Sequence, residues 1–316
     1  MYIECWSGLA SRIITLSEAY YIQKKWGMDT LNIVWPIAED CKIRFFEIFD
    51  ERIFDDISWK LIEYHQERPL LQYAQAQYER EGGMKNCLAE RNYIRVMKAS
   101  AWYAIIQAEK CLDFKPKKRY LKCNRYYDTT DMYGTVGTFG EKAYMTWENV
   151  KEQIQCGNTD FYVRAFKNII YEKEIKIGFE PIKFRQYYYN ICDDMLQHYE
   201  NIVGVQIRRT DHKASIEHSL TEKFEMEMDK ILEKKPDTVF FLATDDVEEQ
   251  KKLIGKYGEK ILLQENKAWS RDTREGMEAA VVDFLCLSKC CYILGSYHST
   301  FGEVAAKYGG VEEHII

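Results

Sequence analysis

Short apolar runs alternate with segments whose apolar residues recur at helical spacing, and this alternation is most regular after residue 200. Each apolar run predicts a buried strand, and each periodic segment that follows predicts a helix. The predicted strands cover 202–207, 238–243, 260–263 and 290–294, and the predicted helices cover 221–234, 247–257, 273–289 and 299–308. Strand–helix pairs repeated in this way are typical of a doubly wound parallel sheet.

The first residues show the same pattern on a smaller scale. A strand over 2–6 and a Ser-Gly turn precede a helix over 9–26, which Gly27 ends. A second strand over 31–35 is expected to end at Pro36, because proline cannot donate to a strand ladder. Two strands joined by a helix form a βαβ unit and predict a parallel pair.

The stretch between 40 and 195 is less regular. Helical patches are predicted near 69–80, 97–112, 146–156 and 180–200, with loops or short strands over 114–145. A chain of 316 residues corresponds to about two domains of ordinary size. We therefore predict an α/β protein with one domain over 1–195 and a second over 196–316.

Composition and charge exclude some function classes. Hydrophobic residues make up 46% and charged residues 30%, as in an ordinary globular protein. The net charge of −6 disfavours a nucleic-acid-binding protein. The segment 279–294 is too short and too polar to cross a bilayer. The N-terminus lacks a basic stretch followed by an apolar run, so no signal peptide is predicted. A peripheral contact with a membrane surface stays open.

The ten cysteines contain no C-x-x-C pair, which disfavours a zinc ribbon and a thioredoxin-type motif. Cys286, Cys290 and Cys291 are predicted to be free, buried and reduced. This usage indicates a cytoplasmic protein.

Polar residues follow the predicted strands of the second half. In an open α/β sheet, ligands bind beyond the carboxyl ends of the strands. The segments at these ends begin at Arg208, Thr244, Gln264 and Gly295. The sequence has neither G-x-G-x-x-G nor a P-loop, which disfavours a dinucleotide dehydrogenase and a P-loop kinase.

Arg208 and Arg209 are the first candidates for ligand binding. A guanidinium group offers planar, permanently charged donors that match phosphate oxygens. One arginine is expected to face a ligand while the other packs against an internal carboxylate such as Asp211. A salt bridge at a strand end, without any ligand, is the alternative.

A small-residue loop from Gly295 leads into the last predicted helix, whose first turn is a suitable phosphate site. The loop donors are Ser296, His298, Ser299 and Thr300. Simple capping by Ser299 is the alternative.

Three carboxylates complete the candidates. Asp245 is a possible site residue, and Asp246 is expected to cap the next helix. Asp283 lies in an apolar helix and needs a partner, either a base or ribose or a buried arginine. Neither a D-x-D nor a cluster with metal-ligand spacing is present, so no metal is predicted.

These motifs together resemble a known family. The run 205–211 resembles the H-x-R-R-T-D motif of the α1,6-fucosyltransferases and their nodulation-type bacterial relatives. The runs 240–246, 281–288 and 295–300 resemble the next motifs in order. Gly8–Arg12, together with Trp35, resembles the first loop of the same superfamily. The resemblance covers about 200–310 well and 5–50 loosely.

The resemblance implies two Rossmann-like domains facing a cleft (a GT-B-like fold), an inverting reaction, GDP-fucose as donor and no metal. The first domain would hold the acceptor and the second the nucleotide sugar. The donor-binding residues it implies, together with the strand-end candidates, are Gly8, Arg12, Gln206, Arg208, Arg209, Asp211, Asp245, Asp283, Ser296, His298, Ser299 and Thr300. The family's first-loop Gly-x-Gly is Gly8-Leu-Ala10 here.

The resemblance also assigns roles within this set. The two arginines would contact the diphosphate or hold its loop. Asp283 would read the guanine or ribose, and Ser299 with its neighbours would bind the β-phosphate. The family has histidine where this chain has Gln206, which leaves the donor base and sugar open.

Arg208 and Glu217 are the candidate catalytic residues. Arg208 would stabilise the leaving diphosphate. Glu217 lies near the family's catalytic glutamate after a one-residue insertion and would take the acceptor proton, or be a solvated loop residue. His212 and His218 are other candidates for the base. The acceptor would be a carbohydrate or glycolipid. Another nucleotide-sugar donor and a non-catalytic nucleotide- or glycan-binding protein are the alternatives.

Overall fold

The computed structural model describes residues 1–65, 77–78, 89, 93–112, 125–128, 151–152, 154–157, 161–165, 178–210, 213–265 and 267–316. Within these residues the chain forms two five-stranded sheets, and all their strand pairs are parallel. Most of the helical patch predicted near 69–80 and most of the stretch 114–145 lie outside the described residues.

The N-terminal sheet is built on the predicted βαβ unit. Its strands are β1 (Tyr2–Cys5), β2 (Leu31–Ile37), β3 (Trp59–His65), β4 (Arg125–Asp128) and β5 (Phe161–Ala165), in the spatial order β3-β2-β1-β5-β4. The described helices of this half are α1 (Leu9–Trp26), α2 (Phe45–Ile48) and α3 (Tyr93–Leu112). Gly27 ends α1 in the left-handed conformation with φ of 60°, as predicted.

The C-terminal sheet is the predicted doubly wound sheet. Its strands are β6 (Ile202–Ile207), β7 (Val239–Thr244), β8 (Ile261–Leu262), β9 (Tyr292–Gly295) and β10 (Glu312–Ile315), in the order β10-β9-β6-β7-β8. The helices are α4 (Gln186–Leu196), α5 (Lys213–His218), α6 (Thr221–Lys234), α7 (Val247–Tyr257), α8 (Arg274–Ser288) and α9 (Thr300–Gly309). The strand order reverses between β6 and β9, so the ligand site of such a sheet is expected there.

Two expectations from the sequence are wrong. Pro36 does not end β2, which continues to Ile37. The pairing of β2 with β1 stops at Val34, so the missing proline N–H lies where no β1 partner is present. Cys291 is exposed rather than buried, while Cys286 and Cys290 are free and buried as predicted.

The two halves share one hydrophobic core. A single cluster of buried apolar residues extends from Met1 in the first half to Ala306 in the second. Phe184 joins the halves, because its ring packs on Phe49 on one side and on Phe284 and Tyr308 on the other. Helix α1 also contacts α8 and α9. Among the described residues, no helix is long and apolar enough to cross a membrane.

Candidate functional site

Ser296 joins the loops that follow β6 and β9 at the switch point. Its hydroxyl donates to the carbonyl oxygen of Gln206 at 3.2 Å and accepts from the amide of Arg208 at 3.0 Å. The Ser296 amide donates to the same Gln206 carbonyl at 3.1 Å. The side chain is fully buried, so Ser296 sets the position from which Arg208 extends.

Asp245 follows β7 and organises the loop after β6. Its carboxylate accepts from the Arg209 amide and the Thr210 hydroxyl, both at 2.7 Å. It also pairs with the Arg208 guanidinium at 3.1 Å, and both side chains keep about a fifth of their surface exposed (21% and 18%). Arg208 therefore lies at the accessible rim of the switch point, beside a carboxylate that orients it.

The adjacent Arg209 is directed into the domain. Its guanidinium donates to both carboxylate oxygens of Glu249 at 3.4 Å and to the Thr221 hydroxyl at 3.1 Å. It also donates to the Arg208 carbonyl oxygen at 3.0 Å. The internal carboxylate expected for one arginine is thus Glu249. Asp211, which the sequence suggested for this role, lies outside the described residues.

The N-terminus of α9 begins directly after the loop that carries Ser296. His298 in this loop has a positive φ of 55° and an exposed side chain. Ser299 is the N-cap residue, but its side chain makes no capping hydrogen bond. The first-turn amides, including that of Thr300, have no intrahelical acceptor, and the helix dipole makes this end positive. Asp246, in contrast, caps α7 as predicted, accepting from the Glu249 amide at 2.7 Å.

Tyr297 attaches the same loop to α5. Its carbonyl oxygen accepts from the Ser215 hydroxyl at 2.6 Å, and its amide donates to the Ser219 hydroxyl at 2.7 Å. Glu217 and His218 therefore lie on a helix that borders the site. The Glu217 side chain is exposed and forms no hydrogen bond or ion pair with a described residue. His212 lies outside the described residues.

Asp283 is buried in α8 and has two partners from the segment after β8. Lys267 pairs with one carboxylate oxygen, and the Gln264 amide nitrogen donates to the other. Lys267 also donates to the Thr244 carbonyl oxygen at 2.8 Å, which ties this segment to the end of β7. The cation expected beside Asp283 is therefore a lysine rather than an arginine.

Gln206 lies at the end of β6, and only 4% of it is exposed. Its side-chain oxygen has no hydrogen-bond partner, and the same holds for one carboxylate oxygen of Glu313 on β10. Burial and the nearby carboxylate of Glu303 together raise the pKa of Glu313 to about 7, and Lys307 opposes the shift.

The loop after β1 contributes from the other half of the chain. Ser7 has a positive φ of 71°, and its carbonyl oxygen accepts from the guanidinium of Arg12. Arg12 is fully buried, donates to the Pro36 carbonyl oxygen at 2.6 Å and stacks on the Trp35 ring at 4.6 Å. The buried Arg12 side chain thus fixes the loop after β1 to the end of β2.

Gly8 opens α1 beside the C-terminal half. A Cβ atom at Gly8 would lie 4.0 Å from the Arg271 guanidinium. The N-terminus of α1 has neither an acidic residue in its first turn nor a side-chain cap. This helix end and Arg271 therefore form a second place where positive charge from both halves meets.

Sequence reasoning did not single out four residues of this region: Glu249, Lys267, Arg271 and Glu313. The isolated carboxylate of Asp283 did indicate a cationic partner, but no pattern selects a lysine 16 residues earlier in the chain. Nothing in the sequence marked Glu313 as a site residue, because its strand β10 was not predicted. Among the described residues, no group of three or more His, Cys, Asp or Glu side chains could hold a metal ion.

No protein-family model matches the sequence, and no curated protein matches it either. Solved structures do resemble the fold. NodZ α1,6-fucosyltransferase co-crystallised with GDP superposes with a TM-score of 0.55 at 14% identity, over 96% of this chain and 91% of the other. NodZ from Bradyrhizobium gives the same TM-score at 15% identity, over 96% and 91%.

Two further structures cover nearly the whole chain. A variant of Arabidopsis thaliana FUT1 in complex with GDP gives a TM-score of 0.56 at 14% identity, over 99% of this chain and 69% of the other. POFUT1 in complex with GDP-fucose gives 0.52 at 8% identity, over 100% and 97%. The chain therefore has the GT-B-like fold of these fucosyltransferases, which confirms the predicted fold class.

Proposed function

We propose that this chain is an inverting, metal-independent glycosyltransferase that moves fucose from GDP-fucose to a hydroxyl group of a carbohydrate or glycolipid acceptor. The observation that carries the proposal is the junction at the switch point. There Ser296 joins the loop bearing Arg208 to the loop that opens α9. A guanidinium group and the positive end of a helix thus lie at the place where such a sheet binds nucleotides.

The two arginines have different roles in this proposal. Arg208 is accessible and contacts the diphosphate, while Arg209 is anchored on Glu249 and holds the loop. The first-turn amides of α9, with Ser299, Thr300 and the exposed His298, bind the terminal phosphate. Asp245 sets the direction of the Arg208 guanidinium.

Other candidates act from the borders of the site. Asp283 acts through Lys267 and Gln264 and contributes to binding the base or ribose. Gly8 lets the first helix approach the donor, and Arg12 fixes its loop. Asp211 remains a candidate from the resemblance alone.

The reaction is a single displacement. An acceptor hydroxyl attacks the anomeric carbon, the bond to the diphosphate breaks, and the nucleoside diphosphate leaves with the bonding electron pair. Arg208 and the α9 amides stabilise the charge that develops on the leaving group. Glu217, exposed on the helix that borders the loop, takes the acceptor proton, and the N-terminal domain binds the acceptor.

The solved structures support GDP-fucose as the donor, because structures of the same fold bind GDP or GDP-fucose. The motifs after β6 and β9 support it further. Gln206 replaces the family's histidine and favours a second candidate, a donor with another base or sugar. The cytoplasmic location, the domain boundary at 195–196 and peripheral membrane contact remain predictions.

The first experiment is thermal stabilisation of the purified protein by GDP, UDP, ADP and CMP, each in EDTA. A ligand at 100 times its dissociation constant stabilises by about 2.7 kcal/mol. We expect GDP to stabilise the wild type and Arg208→Ala to lose this effect. Loss of a transition-state donor also lowers the transfer rate by roughly 100- to 1000-fold.

Arg52→Ala is the matched control, since Arg52 is exposed and its ion-pair partner among the described residues is Asp50, on the surface of the first half. Stabilisation by UDP instead of GDP would move the proposal to the second donor. Stabilisation that appears only when a divalent cation replaces the EDTA would contradict metal independence. Binding of GDP without hydrolysis or transfer of GDP-fucose would indicate a non-catalytic binding protein, and binding of no nucleotide would overturn the proposal.

A further inference from the structure

Two buried oxygen atoms lie close together beneath α9 without a hydrogen-bond donor. They are the side-chain oxygen of Gln206 and one carboxylate oxygen of Glu313. A Cβ atom at Gly302 would lie 3.2 Å from the first and 2.4 Å from the second. The two acceptors therefore border the same small space, which the absence of a side chain at Gly302 leaves open.

The sheet explains how side chains from non-adjacent strands meet. Gln206 on β6 pairs in register with Gly295 on β9, and β9 in turn pairs with β10. Because Gly295 has no side chain, Glu313 extends over β9; a Cβ atom at Gly295 would lie 2.2 Å from its carboxylate. Residues paired in a parallel sheet share a face, so this carboxylate reaches the Gln206 side of the sheet.

Two hydrogen-bond acceptors that share a buried space need a proton between them. Burial and Glu303 raise the pKa of Glu313 to about 7, and Lys307 opposes the shift. Glu303 and Lys307, which pair at 2.6 Å, face the carboxylate from α9, while β9 and β6 present Gly295 and uncharged Gln206. A neutral Glu313 carboxyl group supplies the missing proton.

Gln206 connects this pair to the donor site. Gln206 lies two residues before Arg208, and its backbone carbonyl oxygen accepts hydrogen bonds from both the amide and the hydroxyl of Ser296. Its side-chain nitrogen donates to no described residue. An amide whose oxygen is held inside the fold presents its NH₂ group on the other side, where the nucleotide of the proposed function would lie.

We propose that Glu313 is a positioning residue for the donor site: its neutral carboxyl group donates to the Gln206 side-chain oxygen and turns the Gln206 NH₂ group toward the bound nucleotide. This inference rests on the proposed nucleotide site. Ionisation of Glu313 would place two acceptors against each other and release the amide. Nucleotide affinity should therefore fall as the pH rises through about 7.

The test measures the dissociation constant of GDP by calorimetry between pH 5.5 and 8.5. Glu313→Gln keeps a neutral hydrogen-bond donor at this position. Its affinity for GDP should therefore lack the part of the pH dependence that arises in the wild type from ionisation of Glu313. The matched control is Glu312→Gln, since Glu312 is exposed on the same strand and should behave as the wild type does. Ratios between variants at each pH cancel the titration of GDP itself and of His314.

We expect the wild-type affinity for GDP, divided by that of Glu313→Gln, to fall between pH 6 and 8. The fall should be about tenfold for each unit by which GDP binding raises the pKa of Glu313. Gln206→Met should bind GDP more weakly and lose the same pH component, because the proton acts through Gln206. A flat ratio for the wild type, or a pH component that survives in Gln206→Met, would overturn the inference. A flat ratio is also the result expected if the amide is reversed, with its NH₂ group on an ionised Glu313.

A nucleotide-free measurement separates this inference from the proposed function. The folded Glu313 keeps a proton that the unfolded chain loses near its ordinary pKa of 4.5. The stabilisation is therefore complete below pH 4.5 and is lost as the pH rises toward about 7. Unfolding free energies of the wild type should decline over this window relative to Glu313→Gln. If the unfolding free energy declines as expected but GDP never binds, the proposed function fails, and the link from Glu313 to the nucleotide fails with it. If GDP binds but the unfolding free energy does not decline, only the inference fails.

Discussion

At the scale of single residues, the site illustrates how neighbours in sequence acquire different roles. Arg208 and Arg209 are chemically identical, yet one lies at an accessible rim and the other is anchored inside the domain. Alternation along an extended backbone predicts that one of two adjacent side chains turns inward. The identity of the internal partner, Glu249, depends on tertiary packing and has no signature in the sequence.

The anchoring of Arg209 makes a prediction about stability. Glu249→Gln removes the charge that faces a guanidinium with only 12% of its surface exposed. We expect a loss of about 1–3 kcal/mol in the free energy of unfolding, because a largely buried cation loses its charged partner. Urea denaturation measures this, with Glu248→Gln as the neighbouring control.

Glu248 is exposed and pairs with Lys251 one helical turn away, so its substitution should change the free energy by less than about 0.5 kcal/mol. GDP affinity should weaken in Glu249→Gln as the Arg208 loop loosens. Equal stability of the two variants would show that the Arg209–Glu249 pair contributes nothing beyond a surface pair.

At the scale of elements, the sequence predicted the second half well, but in the first half it predicted well only the opening βαβ unit. The helices α6 and α7 have the predicted bounds, and β6 does too. Their apolar periodicity is strong because one face packs on the sheet. The strand β10 was missed because it is an exposed edge strand with the sequence Glu-Glu-His-Ile, which lacks an apolar alternation. Without β10, Glu313 could not be placed beside Gln206.

The same limit applies to the N-terminal sheet and to the segment after β8. The strands β3 and β5 were not predicted, because the rich Tyr and Lys content of the middle region hides their periodicity. The segment that carries Lys267 and Arg271 has no regular structure, so its position depends on contacts with α8. Asp283 was predicted to need a partner, but the partner could be identified only in the fold.

Gly276, in the first turn of α8, makes the contact with this segment testable. A Cβ atom there would lie 1.8 Å from the Ser270 carbonyl oxygen, so the backbone of the segment must move in Gly276→Ala. We expect a loss of about 1–3 kcal/mol from this overpacking. GDP affinity should also fall, because Lys267 and Arg271 move with the segment.

Gly255→Ala is the control for helix propensity. Gly255 lies in α7 with no atom within 4 Å of its Cβ position, so alanine should stabilise the protein by up to about 1 kcal/mol. Chemical denaturation of both variants measures the two effects. A stabilisation by Gly276→Ala equal to that of Gly255→Ala would contradict the close approach of Ser270.

At the scale of the whole molecule, the predicted division into two domains coexists with a shared core. The sheets are separate, but one apolar cluster runs from β1 to α9. The hydrogen bond from Cys192 on α4 to the Val282 carbonyl oxygen and the ion pair between Arg274 and Glu47 add links across the boundary region. The positive N-terminus of α1 beside Gly8 and the positive groups at the switch point therefore belong to halves whose relative position is fixed by packing.

Phe184 tests whether the shared core makes the halves cooperative. Its ring is 98% buried and contacts Phe49 from the first half and Phe284 from the second. Phe184→Ala removes both contacts, and we expect it to cost about 3–5 kcal/mol. If the halves unfold as one unit, hydrogen exchange of peptides from β2 and from α8 should accelerate together by a similar factor.

Phe46→Ala is the control, since that residue is 41% exposed and its ring contacts among the described residues are with Phe45 and Trp59 of the first half. Its effect should be smaller and equal in both peptides if unfolding is global. Acceleration of exchange in β2 alone, with α8 unchanged, would contradict a shared core and assign each half its own stability. In that case the charges at Gly8 and at the switch point would belong to units that move independently, and nucleotide binding would have to bring them together at a cost in affinity.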